Sequence, residues 1–205
     1  MPELIVVGGS NGAGKSTFIR EFLKRKPFRY LCADEAAFEL NPENPESVAI
    51  EAGRVFLRQM QEAREAGEDV IVESTLSGRT FRRTVEAYRD AGYLIGMIFV
   101  TPLDQAASVE RVAIRVRKGG HHVPENDIIR RFVRAHFNFW EIYRHMSARW
   151  IILYNETDKE CQPIAKGRDQ LLISSDQALF GSFLKNCYAV GFQTFLSSPF
   201  ILFRG

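Results

Sequence analysis

The segment Gly9-Ser10-Asn11-Gly12-Ala13-Gly14-Lys15-Ser16 fits the phosphate-binding pattern G-x-x-x-x-G-K-[ST] at every fixed position. It follows the apolar run Leu4-Ile5-Val6-Val7 and opens the helical pattern Thr17-Phe18-Ile19-Arg20-Glu21-Phe22-Leu23. A buried strand, a tight glycine-rich turn and a helix are therefore expected in immediate succession. Glycines let backbone N–H groups wrap a phosphate chain without Cβ clashes. The helix N-terminus adds free N–H groups and a dipole that favours anions. Residues Gly9, Ser10, Asn11, Gly12, Ala13, Gly14, Lys15, Ser16 and Thr17 form the expected nucleotide site, with ATP as the expected donor. Lys15 is placed to reach the β- and γ-phosphates, and the Ser16 hydroxyl to serve as a Mg²⁺ ligand.

Strand-like apolar runs alternate with helical patterns through most of the 205 residues. A strand is expected at Tyr30–Ala33, ending at Asp34-Glu35, with a loop marked by Pro42 and Pro45. Apolar residues spaced by three and four predict a helix over Glu46–Ala66. A strand at Asp69–Glu73, a helix at about Thr80–Ala91 and a strand at Tyr93–Val100 follow. Helices at about Asp104–Lys118 and Pro124–Met146 flank Gly119-Gly120, and Trp150–Tyr154 reads as a fifth strand. The signal then weakens: Gln162–Ile173 suggests a short strand pair and Asp176–Tyr188 a last helix. Repeated strand–helix units imply an α/β fold: a P-loop kinase-like, mostly parallel five-stranded sheet with helices on both faces. One domain over 1–205 is expected, with a lid at about 117–131 and a weakly patterned extension over 156–205.

A net charge of +2 gives no reason to expect a nucleic-acid partner. Three cysteines, Cys32, Cys161 and Cys187, have no metal-ligand spacing and argue against a disulfide framework. The first strand begins almost at the N-terminus, and no apolar run is long enough to cross a membrane. A cytoplasmic location is the expectation. The apolar Phe192–Phe203 stretch is broken by Ser197, Ser198 and Pro199 and reads as a packed tail or partner surface.

Ligands of such sheets sit beyond the carboxyl ends of the strands. Asp34 follows the second strand and Glu73 closes the third. A carboxylate there can accept a proton from an attacking hydroxyl, or support the metal. Ser74, Thr75 and Ser77 add hydroxyls beside Glu73. The stretch from Arg117 through Gly119-Gly120, His121 and His122 to Arg130-Arg131 has the make-up of a lid: a glycine hinge with arginines on both sides. Guanidinium forks match phosphate oxygens and stabilise charge on a transferring phosphoryl group. His121 is read as a lid or substrate contact. A signature loop of transporter ATPases, the Asn-Lys-x-Asp motif of GTPases, a nucleophile elbow and zinc-ligand patterns are absent.

Taken together, Gly8–Thr17, Ala33-Asp34-Glu35, Val72–Ser77 and Arg117–His121 resemble the zeta-toxin family of P-loop kinases, most closely its small bacterial chromosomal members. The resemblance covers roughly residues 3–156, with the motifs in the family's order. It implies an ATP-dependent kinase for a small-molecule hydroxyl, with UDP-N-acetylglucosamine as the acceptor known from the family and an antitoxin protein as a partner. The residues leave two alternatives open: a kinase for a nucleoside, an antibiotic or a polynucleotide end, and a nucleotide-binding regulatory protein with little turnover. Carried over by motif, Lys15 binds phosphate, Ser16 holds Mg²⁺ and Asp34 acts as base. Glu73 and Thr75 contact substrate or the metal shell, and Arg117 and Arg130 are the lid arginines, with Arg115 and Arg131 competing for those two roles. The chain departs from the family in carrying Asn11 where the toxins have a proline-containing loop, and in being shorter.

Overall fold

The computed structural model describes residues 1–120, 122–156, 160–168 and 171–189. Seven strands form one sheet in the order β2-β3-β1-β4-β5-β6-β7. β1 (Glu3–Gly8) lies between β3 (Val70–Ser74) and β4 (Leu94–Thr101), β2 (Arg29–Cys32) flanks β3, and β5 (Arg149–Tyr154) flanks β4. These five are parallel. β6 (Gln162–Arg168) adds antiparallel to β5, and β7 (Leu171–Ser174) antiparallel to β6. The sheet thus has seven strands rather than five. β6 lacks an apolar run because its outward residues, among them Pro163, Lys166 and Arg168, are exposed, and the short apolar run Leu171–Ile173 of β7 is itself exposed at the sheet edge. Gly167 is required where β6 passes Trp150: a Cβ there would come within 2.4 Å of the indole ring.

Strands buried on both faces read as continuous apolar runs, and β1 shows why. Leu4 and Val6 face one core, with α3 (Ala49–Glu65), α4 (Phe81–Asp90), α6 (Glu125–Glu141) and α7 (Gln177–Cys187) against it. Ile5 and Val7 face another, packed with Ile19, Phe18 and Phe22 of α1 (Lys15–Leu23). The α3 stripe Ala52, Phe56, Met60 and Ala63 is buried at the predicted helical spacing. Asp104 caps α5 (Gln105–Arg117) by accepting the Ala107 N–H at 2.8 Å, and Asp176 caps α7 through Leu179 at 2.9 Å.

Two expected segments differ. Residues Ala33–Leu40 form a helix, α2, where no helix was expected and Ala33 was read as the end of the strand; it starts directly at the end of β2 with no turn residue between them. Cys32 occupies its cap position without a side-chain hydrogen bond, so no capping signal marks the start. The helix expected to run to Met146 ends at Glu141, and a 3₁₀ turn, Tyr143–Met146, completes the span.

Candidate active site

The P-loop rises from the carboxyl end of β1 in the middle of the sheet. Its shape depends on missing side chains. Gly9, Gly12 and Gly14 have φ of 145°, 76° and 95°, and a Cβ on them would lie 2.2 Å from the Val100 carbonyl oxygen, 2.7 Å from the Ser108 carbonyl oxygen and 2.1 Å from Asn155 Nδ2. Gly14 leads into α1, whose first turn holds no acidic residue and no side-chain cap. The N–H groups of that turn are aimed at the loop mouth, where an anion is the natural partner.

Lys15 is 6% exposed. Its Nζ donates to the Ser10 carbonyl oxygen at 3.0 Å and lies 3.6 Å from Glu73 Oε1. The other Glu73 oxygen accepts the Tyr30 hydroxyl at 3.0 Å. Glu73 reaches the P-loop because β3 pairs with β1, with Glu73 opposite Val7 and Ser74 opposite Gly8. Burial and then the Glu73 charge raise the Tyr30 phenol, and the same two causes push the Cys32 thiol up to about 11. Both groups are neutral, so Tyr30 serves Glu73 as a donor.

Other contacts brace the loop from the far side of β1. Ser10 and Ser108 hydroxyls meet at 3.0 Å in the interior. Asn11, 6% exposed, accepts Arg131 Nη1 at 3.4 Å. Asn155, just past β5, donates from Nδ2 to the Ala13 carbonyl oxygen at 2.7 Å. Its backbone N–H donates to the Thr101 carbonyl at 2.9 Å, and its own carbonyl accepts Arg111 Nη2 at 2.7 Å. Thr101 is tied to buried His136, whose Nε2 lies 2.8 Å from its hydroxyl and whose Nδ1 donates to the Phe132 carbonyl at 2.7 Å. Burial drops the His136 pKa to about 4, so the ring is neutral.

The acidic side of the site is more open. Asp34 is exposed in the first turn of α2, beside Glu35. Burial first, and then the Glu73 and Glu39 charges, raise the Glu35 carboxyl. Thr75 and Ser77 hydroxyls meet at 2.9 Å in the turn after β3. That turn is fixed by Leu76, which is buried at φ 53° over Gly8 and whose carbonyl accepts Asn138 Nδ2 at 2.9 Å.

Of the residues expected to form a lid, Arg117 ends α5 and is exposed. Arg130 turns to Asp127 of its own helix, 2.9 Å away, while its neighbour Arg131 faces the P-loop. His121 lies outside the described residues. Gly119 has φ 83° and Gly120 closes back on Arg115, its N–H donating to that residue's carbonyl at 2.9 Å. Asn155, Ser108, Tyr30 and Leu76 were not evident as site residues in the sequence. Leu76 lies within the Val72–Ser77 segment but is apolar; Asn155, Ser108 and Tyr30 belong to no motif and reach the site only through the packing of β5, α5 and β2.

Ser16 is exposed at the loop mouth, and among the described residues no group of three His, Cys, Asp or Glu could cage a metal. That donor set suits Mg²⁺, which keeps waters and phosphate oxygens and takes few protein ligands. A cavity of about 570 Å³ opens elsewhere, lined by Glu3, Gly96, Ile151, Arg149 and Lys166, and contains none of these site residues. No helix among the described residues is long and apolar enough to cross a membrane.

Known proteins are similar to this chain in sequence or in fold. An uncharacterized protein of Haemophilus influenzae is 30% identical over 122 residues, which cover 60% of this chain and 86% of that protein. The crystal structure of AvrRxo1-ORF1:-ORF2 with ATP superposes with a TM-score of 0.69 at 16% identity, over 89% of this chain and 63% of the other. This chain therefore spans less than two thirds of that protein. A structure from the PezAT chromosomal toxin–antitoxin system of Streptococcus pneumoniae superposes with a TM-score of 0.63 at 18% identity, over 90% of this chain and 79% of the other. At such identities the likeness is one of fold. The sequence model of an AAA domain (AAA_33) matches residues 4–135, more than half of the chain, and the protein belongs to that family of P-loop domains.

Proposed function

We propose that this chain is an ATP-dependent phosphotransferase that moves the γ-phosphoryl group to a hydroxyl of a small molecule, with UDP-N-acetylglucosamine as the acceptor to test first. The observation that carries the reading is the buried Lys15 ammonium, held by Ser10 and Glu73 at the mouth of a loop whose glycines admit no side chain. An ammonium so placed, with three donors, suits the β- and γ-phosphates. The α1 N-terminus would bind the same anions, and Ser16 with phosphate oxygens would hold Mg²⁺. That ion would neutralise charge on the phosphates.

Asp34 is the proposed base. It would accept the proton of the acceptor hydroxyl and orient its oxygen toward the γ-phosphorus. Glu73 would keep Lys15 aimed, and Thr75 would offer its hydroxyl to the acceptor. The lid spans about 117–131 in this reading. Arg131 is its clamp residue nearest the loop, with Arg117 and Arg130 able to close from outside, and His121 is a proposed acceptor contact. Arginines there would stabilise the transferring group.

The zeta-toxin resemblance supports the nucleotide-sugar acceptor and a cytoplasmic place of action. An antitoxin-like protein partner is also proposed, because AvrRxo1-ORF1 was solved together with ORF2 and PezAT is a toxin–antitoxin system. The test is incubation with ATP, Mg²⁺ and UDP-N-acetylglucosamine, followed by mass spectrometry. A phosphorylated nucleotide-sugar is expected. Protein that binds ATP and yields no such product rules out that acceptor.

A further inference from the structure

The proposed reaction needs the P-loop N–H groups to face the phosphates, and the structure holds a device that turns one of them. Asn155 Nδ2 donates to the Ala13 carbonyl oxygen at 2.7 Å, across 142 residues of sequence. Ala13 is fully buried, and Gly14 has φ 95° with Asn155 packed so closely that a Cβ would lie 2.1 Å from the amide nitrogen. The Ala13–Gly14 peptide is planar and trans, so its C=O and N–H point in opposite directions. Fixing the carbonyl on Asn155 therefore turns the Gly14 N–H away from Asn155. The next peptide is fixed separately, because the Gly14 carbonyl accepts the Phe18 N–H at 3.0 Å within α1.

We infer that Asn155 is a positioning residue for nucleotide binding: it holds the Ala13–Gly14 peptide in the orientation that presents the Gly14 N–H to a phosphate oxygen. Glycine at 14 matters twice, since it admits Asn155 and tolerates the left-handed backbone. Without the amide, this peptide is free to rotate and would turn its carbonyl, a negative dipole end, toward the phosphates. The Asn155 backbone is held on two sides, by its N–H on Thr101 and by Arg111 on its carbonyl, so the point from which the side chain reaches the loop is fixed. The inference rests on the P-loop binding a nucleoside triphosphate.

The test compares Asn155→Ala, Asn155→Asp and Lys15→Ala in the full chain, measuring ATP affinity by calorimetry and the Gly14 amide by ¹⁵N–¹H NMR. Asn155→Ala should weaken ATP binding about tenfold by losing one hydrogen bond. Asn155→Asp has the same shape but sets a carboxylate against a carbonyl, and should weaken binding about a hundredfold. In the unaltered protein ATP should shift the Gly14 amide strongly downfield, and in Asn155→Asp that shift should be lost while the urea midpoint keeps the variant folded. If Lys15→Ala weakens binding and Asn155→Asp neither weakens it nor changes the Gly14 shift, the role of Asn155 is overturned. If Lys15→Ala also has no effect, the fault lies in the nucleotide-site reading beneath it.

Discussion

The two sides of the candidate site are built to different standards. On the donor side, Ser10, Asn11, Ala13 and Lys15 are buried, and partners reach them from β3, α5, α6 and the end of β5. On the acceptor side, Asp34 stands exposed on the first turn of α2, and the Thr75 hydroxyl is engaged with its neighbour Ser77. The contrast fits a division of labour. A phosphate chain is the same in every turnover and rewards a fixed cradle, because a preorganised site spends no binding energy on ordering itself. The side proposed for the acceptor presents a carboxylate and hydroxyls on one wall, and in that proposal the acceptor and the α5–α6 segment would supply the rest of the enclosure.

Removing Lys15 should show the donor side at its most sensitive. Lys15→Ala is expected to cost about 4 kcal/mol in transfer, roughly a thousandfold, together with much of the ATP affinity. Titration calorimetry and a transfer assay read the two effects separately. If affinity were untouched, the cradle would not depend on its cation.

The brace beneath the loop should be acid-sensitive. The His136 pKa falls from 6.5 to about 4 on folding. The unfolded chain therefore binds the proton more tightly, and the stabilisation is complete above pH 6.5 and lost as pH falls toward 4. Up to about 3 kcal/mol should disappear over that window by 1.36 kcal/mol per unit. Urea unfolding at several pH values measures it, and His136→Gln should flatten the dependence. An equally steep profile in that variant would assign the effect elsewhere.

On the acceptor side the effect should fall on rate alone. Asp34→Asn is expected to slow transfer by about a hundredfold with ATP affinity unchanged. Its loss from the helix N-terminus should cost stability only ~0.5 kcal/mol.

The two adjacent arginines divide the lid more finely. Arg131→Ala should slow transfer about tenfold, while Arg130→Ala, which removes a partner of Asp127 on an exposed helix face, should change it less. Steady-state rates of the two variants decide between them, and the reverse order would move the clamp to Arg130.

Legibility in the sequence followed the same divide. The P-loop was plain because its residues are contiguous and each fixed position has a steric or chemical reason. The sheet's parallel core was plain because doubly buried strands are unbroken apolar runs, as Leu4–Val7 shows. The helix α2 was hidden because it follows β2 without a turn and lacks a capping side chain. Asn155 was hidden for another reason: one polar residue after a strand carries no signal until the strand order brings β5 to the P-loop. The preference for Arg131 over Arg130 likewise depends on helix rotation, which the run of basic residues around them masks. Glu73 was marked by its strand end, yet its two partners, Lys15 and Tyr30, became evident only from the β2-β3-β1 order.

The most direct test runs ATP affinity and γ-phosphoryl transfer side by side on the unaltered protein, Lys15→Ala and Asp34→Asn, with UDP-N-acetylglucosamine and a bacterial small-molecule extract as acceptors. The account predicts label transfer by the unaltered protein, loss of affinity and transfer in Lys15→Ala, and loss of transfer alone in Asp34→Asn. Unaltered protein that binds ATP and labels nothing, or an Asp34→Asn variant that transfers at the full rate, would contradict it.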